Sequence, residues 1–124
     1  MNNPEVTMQQ TAQLTGFDAL DKATEAAMIA IPLVMRVRAP LRSIADQAIR
    51  SASSVPANLA EGAGRSGRDR FHHWRIAYGS AKEVETHLRL LLGVGAISSG
   101  PTERSLQLFD DVRAMIWRLL RPND

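Results

Sequence analysis

The chain has 124 residues, a net charge of +2, 44% hydrophobic residues and 5% aromatic residues, so we expect one domain with an aliphatic core. It has no cysteine, which excludes disulfides and thiolate chemistry and is consistent with a cytoplasmic location. Residues 1–16 lack an apolar signal region, and no stretch approaches about 18 apolar residues. We therefore expect a flexible polar leader over residues 1–16 and no membrane partner.

The first two helices are predicted from apolar residues spaced three and four apart. The first helix runs from Phe17 to Val34, and Pro32 is expected to kink it without ending it. The second helix is predicted to have Pro40 as its first residue, and Pro56 should bend it. Two glycines in the left-handed conformation should end it, Gly62 and Gly64.

The third helix has the most regular pattern. Ser66 and Asp69 have the spacing of a capping box at its start. Its apolar seam has coiled-coil-like spacing and consists of Trp74, Ala77, Ala81, Val84, Leu88 and Leu91. Glycine inside a helix costs about 1 kcal/mol against alanine, so Gly79 indicates the close approach of a neighbouring helix. Gly93 and Gly95 are expected to end the helix.

A loop from Ser98 to Pro101 precedes the fourth helix, whose apolar stripe runs from Leu106 to Leu119 and which Pro122 should end. Short loops between four long helices make sequential helices antiparallel neighbours. The predicted fold is therefore all-α, an up-down-up-down antiparallel four-helix bundle over residues 17–121.

The basic residues are concentrated on the second helix and the turn after it. Residues 36–75 carry eight Arg and three acidic residues, a net charge of +5, and 13 of the 15 basic residues in the chain are Arg. Because Arg makes bidentate contacts with phosphate, this region is a candidate nucleic-acid surface. The candidate residues are Arg42, Arg50, Arg65, Arg68, Arg70, Arg75, Lys82 and Arg89.

Some of these cations recur every seven residues on the third helix and so share one face. This basic stripe is about 31 Å long and consists of Arg68, Arg75, Lys82 and Arg89. Several cations on one face suit phosphate binding. Positions beside an apolar seam also form ion pairs, and Glu83 and Glu85 are nearby, so pairing across helices or subunits is the alternative.

The other motifs point to no catalytic or metal site. Residues 62–67 match G-x-G-x-x-G, but no strand precedes them, so they favour a tight turn, or a phosphate at a helix start, over a dinucleotide site. The histidines are too dispersed for one metal ion: His72, His73 and His87. A base-stacking platform could be built from Phe71, Trp74 and Tyr78, although Trp74 belongs to the seam. We expect no enzymatic activity, no metal and no cofactor.

Three segments carry a family pattern: SVPANLAEG at 54–62, GS at 79–80 and EVETHL at 83–88. They resemble the four-helix bundle proteins encoded within intervening sequences of bacterial 23S rRNA genes, and the related accessory proteins of diversity-generating retroelements. The resemblance spans about residues 17–120. It implies packing or turn roles for Pro56, Asn58, Glu61, Gly62, Gly64, Gly79 and Ser80.

The same resemblance implies a homo-oligomer, with a pentamer favoured. In the retroelement relatives it implies a barrel whose basic surface binds nucleic acid and a reverse transcriptase. Two hypotheses follow for this chain. It is an oligomeric protein that binds an RNA or DNA backbone through its arginine-rich surface, or it is a scaffold whose basic helix face serves self-assembly or a protein partner only.

Overall fold

The computed structural model describes residues 14–121, and these contain four helices and no strand. We number the helices α1 (Asp18–Met35), α2 (Arg42–Ala63), α3 (Gly67–Gly93) and α4 (Ser99–Leu120). The predicted all-α class is confirmed, and α1 and α2 continue through their internal prolines, Pro32 and Pro56. Most of the leader predicted at residues 1–16 lies outside the described residues.

Cross-helix contacts show that sequential helices are antiparallel. Between α2 and α3, Asn58 Oδ1 lies 3.1 Å from His73 Nδ1 and Ser54 Oγ lies 2.9 Å from Ser80 Oγ, so residue numbers fall along α2 as they rise along α3. The same order holds in the α1–α4 pairs Glu25–Arg104 and Lys22–Asp111, and in the α3–α4 pairs Tyr78–Trp117 and Glu85–Arg113. Helix α4 therefore returns against α1, and α1 and α3 are diagonal in an up-down-up-down bundle.

The core is aliphatic, as the low aromatic content predicts. Its largest fully buried side chains include Phe109, Leu59, Leu88, Leu91 and Ile116. Helix α1 contributes small side chains instead, at Ala19, Ala23, Ala26, Ala27 and Ala30. Because alanine is small, helix backbones approach closely here, and the buried Ser105 hydroxyl donates to the Ala26 carbonyl at 3.0 Å. The predicted α3 seam is buried along its whole length, from Trp74 to Leu91.

The turn between α1 and α2 differs from the prediction. Helix α2 begins at Arg42, so Pro40 lies in the turn and is not the first helical residue. The Arg42 guanidinium donates to the carbonyl oxygens of Met35 at 2.7 Å and Val37 at 3.1 Å. The last carbonyls of a helix have no partner within it, so this side chain supplies the hydrogen bonds that α1 leaves unmade.

Helix α2 ends at Ala63 with Gly64 as its C-cap, so Gly64 ends the helix as predicted, but not in the predicted left-handed conformation. Gly62 lies inside the helix and Gly64 has a φ of −83°, so neither glycine is left-handed. An arginine again satisfies the free carbonyls, because Arg70 donates to the oxygens of Gly62 at 3.1 Å and Ala63 at 3.2 Å. In both turns, therefore, an arginine of the following helix caps the preceding helix.

At the start of α3 the predicted capping box is absent. Ser66 precedes the helix but makes no side-chain capping hydrogen bond, and the Asp69 carboxylate instead accepts a hydrogen bond from Arg65 at 2.7 Å. The other end of α3 agrees with the prediction. The helix ends at Gly93, and Gly95 has a left-handed φ of +79°.

Two helical glycines, Gly62 and Gly79, have opposite surroundings. A Cβ atom on Gly62 would lie 2.6 Å from the Trp74 ring, which is closer than real contacts allow, and 3.0 Å from the Arg70 carbonyl oxygen, which is a tight contact. A Cβ atom on Gly79 would meet nothing within 4 Å. The predicted close approach at Gly79 is therefore wrong, and the close approach occurs at Gly62, where the α3 tryptophan packs onto α2.

Candidate nucleic-acid interface

The predicted basic stripe lies on the outer surface of α3. All four side chains of the stripe are exposed: Arg68, Arg75, Lys82 and Arg89. Within residues 14–121, none of the four forms an ion pair with a carboxylate. The Lys82 ammonium lies 5.8 Å from the centroid of the Tyr78 ring, on the side of α3 that faces α4. The surface thus carries a row of cations that form no ion pair with a carboxylate of the described residues.

The two glutamates expected as partners of the stripe are engaged elsewhere. Glu85 is buried between α3 and α4, where its carboxylate accepts a hydrogen bond from Arg113 Nε at 2.7 Å. Burial raises the pKa of Glu85, Arg113 opposes the rise through its hydrogen bond and charge, and Asp110 adds to it. Glu83 is exposed and lies 3.9 Å from His87. Pairing within the chain therefore does not neutralise the stripe among the described residues.

The candidate arginines outside the stripe fall into two groups. Arg42 caps the end of α1 and Arg70 caps the end of α2, as described above. Arg65 is exposed but bonded on both sides, to Asp69 at 2.7 Å and to Glu61 at 3.6 Å. The hydrogen bond from Arg65 lowers the pKa of Asp69.

The remaining candidate, Arg50, is exposed on α2 and lines a surface cavity of about 350 Å³ together with Ser54, Ser80 and Glu83. This cavity lies on the α2 side of α3, because Ser80 contacts Ser54 of α2. Tyr78 contacts Trp117 of α4, and the stripe residue Arg75 shares a cavity with both, so the stripe lies towards α4. Arg50 and the stripe thus occupy different sides of α3.

The aromatic residues divide between the core and the surface in a way that the sequence did not reveal. Trp74 is 7% exposed, packs on Gly62, and donates its indole N–H to the Leu59 carbonyl at 3.3 Å, which confirms it as a core residue. Trp117 of α4 is 47% exposed, and its ring centroid lies 6.0 Å from that of Tyr78. The sequence did contain an indication that Trp117 is exposed, because Trp117 falls outside the apolar stripe of its own helix.

A polar cluster crosses the α2–α3 interface within the family pattern. Asn58 Nδ2 donates to the Ser54 carbonyl and contacts the Ser54 hydroxyl, both at 3.0 Å, while Asn58 Oδ1 meets His73 and the Ser54 hydroxyl meets Ser80. The amide of Asn58 stands between the imidazole and both hydroxyls, and an amide does not accept a proton at neutral pH. This arrangement satisfies partly buried polar groups and links the two helices at a fixed register.

The described residues also bear on metal-ligand clusters and on membrane-spanning helices. No group of three or more His, Cys, Asp or Glu side chains in residues 14–121 could hold a metal ion. No helix in that range is long and apolar enough to cross a membrane. The absence of enzymatic activity and of a cofactor stays a prediction.

The four antiparallel helices define a small helical bundle protein whose third helix carries an exposed basic face, without a carboxylate partner within residues 14–121. The family model described as 23S rRNA-intervening sequence protein matches residues 18–118, and the chain belongs to this family. The resemblance seen in the three sequence segments is therefore confirmed for this family. The relation to retroelement accessory proteins stays a prediction.

One solved structure gives an independent comparison of the fold. A protein of unknown function from the S23 ribosomal protein family of Bacteroides thetaiotaomicron aligns with a TM-score of 0.74 and 23% sequence identity, over 83% of this chain and 98% of that one. At this identity the likeness concerns the fold alone. A comparison with curated proteins gives no match.

Proposed function

We propose that this chain is a non-enzymatic, cytoplasmic protein that binds the phosphate backbone of RNA or DNA through the basic stripe of α3. The observation that carries the proposal is the exposure of four cations on one helix face without a carboxylate partner among residues 14–121. Successive members are about 10 Å apart along the helix, so the row extends over about 31 Å. A polyanion that lies along this row would release counterions from several phosphates.

The difference between the arginines bonded within the chain and those of the stripe supports the proposed phosphate-binding surface. Arg42, Arg70 and Arg113 are held by carbonyl or carboxylate groups of the chain itself, so their geometry is explained by the fold. No carbonyl or carboxylate group of the described residues holds the stripe side chains in this way. Exposed cations are stable in water without such a partner. A ligand with regularly spaced negative charge would give all four side chains a common role.

The first prediction concerns this stripe. In the double variant Arg68→Glu and Arg75→Glu, we expect the affinity for single-stranded and structured nucleic acids to fall at least about tenfold, because two attractions become repulsions. The slope of log K against log salt should fall by about 1.4, at about 0.7 per phosphate contact for a single strand. Fluorescence anisotropy of nucleic-acid-free protein against structured RNA, single-stranded DNA and duplex DNA, at low and moderate salt, measures both quantities.

The matched control changes the net charge equally at another place. Arg36 and Arg38 follow α1, the helix diagonal to α3, and both are exposed. The variant Arg36→Glu and Arg38→Glu should bind nearly as the original chain does, and circular dichroism should show unchanged helicity for both variants. Equal binding by the stripe variant and the original chain would rule out the stripe as the site.

The alternative function is assembly through the same helix, and a specific observation favours it. Ile76 is 38% exposed and Leu90 is 51% exposed on α3, each one position after a cation of the stripe. Exposed apolar side chains on one helix suit a contact with a second copy or with a protein partner such as a reverse transcriptase. The two functions are compatible, since a homo-oligomer, with a pentamer favoured by the family resemblance, would repeat the stripe in every subunit and raise avidity.

A further inference from the structure

A cluster of aromatic and cationic side chains lies where α3 and α4 meet, beside the basic stripe. The rings of Tyr78 and Trp117 are 6.0 Å apart at an angle of 41°. They line a surface cavity of about 480 Å³ together with Arg75, Leu120 and Arg121. Arg75 is a member of the stripe, so the cavity opens directly from the row of cations.

The described charged residues that line this cavity are both arginines. The guanidinium carbon of Arg121 lies 3.2 Å from the centroid of the Trp117 ring, and the Lys82 ammonium lies 5.8 Å from that of Tyr78. Among the described residues, none that lines the cavity carries a carboxylate. The acidic residues of this interface, Glu85 and Asp110, bind Arg113, which lies one helical turn before Trp117.

The exposure of Trp117 is unusual for this chain. The other tryptophan, Trp74, and the core residue Phe109 are buried, whereas nearly half of Trp117 is exposed to solvent. A large flat ring gains most of its stabilisation when both of its faces are covered. Here Arg121 covers part of one face, and the open space beside the ring is bounded by cations.

We infer that Tyr78 and Trp117 form a stacking site for an unpaired nucleobase of a single strand whose phosphates lie on the basic stripe. This inference rests on the proposed function and narrows its ligand to single-stranded nucleic acid. An aromatic platform flanked by cations is the arrangement that binds single strands, since each base presents a π-face and each phosphate a negative charge. A duplex hides its bases, so it could use the stripe but not the platform.

The test distinguishes the contribution of base stacking to binding from the contribution of phosphate contacts. The full chain is titrated with fluorescent oligothymidylate of about twelve nucleotides, and with an abasic deoxyribose-phosphate strand of equal length and charge. We expect the chain to prefer the strand with bases by about tenfold, and Trp117→Ala to lose that preference while keeping its affinity for the abasic strand. Trp117→Phe, which keeps a ring at the site, should retain most of the preference.

A second readout uses the fluorescence of the protein itself. Strands with bases should quench tryptophan emission from the exposed Trp117, and the abasic strand should not. The quenching should disappear in Trp117→Phe, since Trp74 is buried. An oligouridylate of equal length, compared with oligothymidylate, shows whether RNA or DNA supplies the base.

Each outcome bears on one proposal. Equal binding of both strands by the original chain would overturn the stacking site and leave backbone binding intact. Binding of neither strand would also overturn the stacking site, and if duplex DNA and structured RNA did not bind either, the proposed function would be overturned. A change in oligomeric mass in Trp117→Ala, with the base preference unaltered, would make the cluster an interface between copies and also overturn the stacking site. Circular dichroism of both variants verifies that the bundle is folded.

Discussion

At the scale of single residues, the clearest test of the structure is the contrast between Gly62 and Gly79. Gly62→Ala should destabilise the protein by about 1–3 kcal/mol, because the new Cβ atom would overlap the Trp74 ring and lie in tight contact with the Arg70 carbonyl oxygen. Gly79→Ala should stabilise it by about 0.5–1 kcal/mol, because the position is helical and open. Urea unfolding followed by circular dichroism measures both free energies.

The two alanine variants serve as controls for each other. They make the same chemical change inside helices of the same bundle, so a common effect on the unfolded chain cancels in the comparison. A Gly62→Ala variant as stable as Gly79→Ala would contradict the packing of Trp74 onto α2.

These glycines also show what residue-level inference could not reach. The sequence singles out Gly79 correctly as an unusual residue inside a helix, but it places the close approach there and a left-handed turn at Gly62. A Cβ atom at Gly79 meets nothing within 4 Å, whereas the close approach at Gly62 is made by a residue twelve positions further along, Trp74. Local propensity contains no information about that neighbour.

At the scale of helices, the buried pair Glu85–Arg113 joins α3 to α4 and gives stability a dependence on pH. Burial raises the pKa of Glu85 above its ordinary value of 4.5, so the folded protein holds the proton more tightly than the unfolded chain. The free-energy contribution of this group is therefore largest below pH 4.5 and declines as pH rises through the raised pKa.

The variant Glu85→Gln tests this dependence. Glutamine can still accept a hydrogen bond from Arg113 but does not titrate, so we expect the decline in the free energy of unfolding above pH 4.5 to be smaller than in the original chain. Urea unfolding at a series of pH values measures it. Glu83→Gln, which removes an exposed carboxylate from the same helix, should keep the decline. Identical pH profiles for Glu85→Gln and the original chain would contradict the raised pKa.

The structure confirms the predicted placement of the basic stripe on one exposed face of α3. A spacing of seven residues places Arg68, Arg75, Lys82 and Arg89 on one face of a helix whatever the helix packs against. The exposure of that face follows from the buried seam beside it, which was also predicted. The ion pair of Glu85 with Arg113, and not with a member of the stripe, was not predictable, because Arg113 belongs to another helix.

At the scale of the whole molecule, the bundle presents α3 to the outside with cations along one line and exposed apolar side chains along the next. If that apolar line mediates assembly, the variant Ile76→Ser and Leu90→Ser should lower the oligomeric mass, because it removes apolar area from the contact. Size-exclusion chromatography with light scattering measures the mass.

The stripe variant provides the comparison for assembly. If the cations bind nucleic acid only, Arg68→Glu and Arg75→Glu should leave the mass unchanged, whereas the scaffold hypothesis requires it to change. A monomeric mass for the original chain would contradict the proposed oligomer directly. The apolar and charged lines of α3 can therefore be assigned separate roles in one set of measurements.

The sequence by itself determined the number and order of the helices, the seam of α3, the all-α bundle and the periodicity of the stripe. These follow from apolar spacing and loop length, which are local properties. Only the tertiary structure decided that Trp74 packs on Gly62, that Arg42 and Arg70 complete the preceding helices, and that Trp117 meets Tyr78. Periodicity gives the direction of a side chain about its own helix axis, but the register between antiparallel helices, which brings such side chains together, is set by packing.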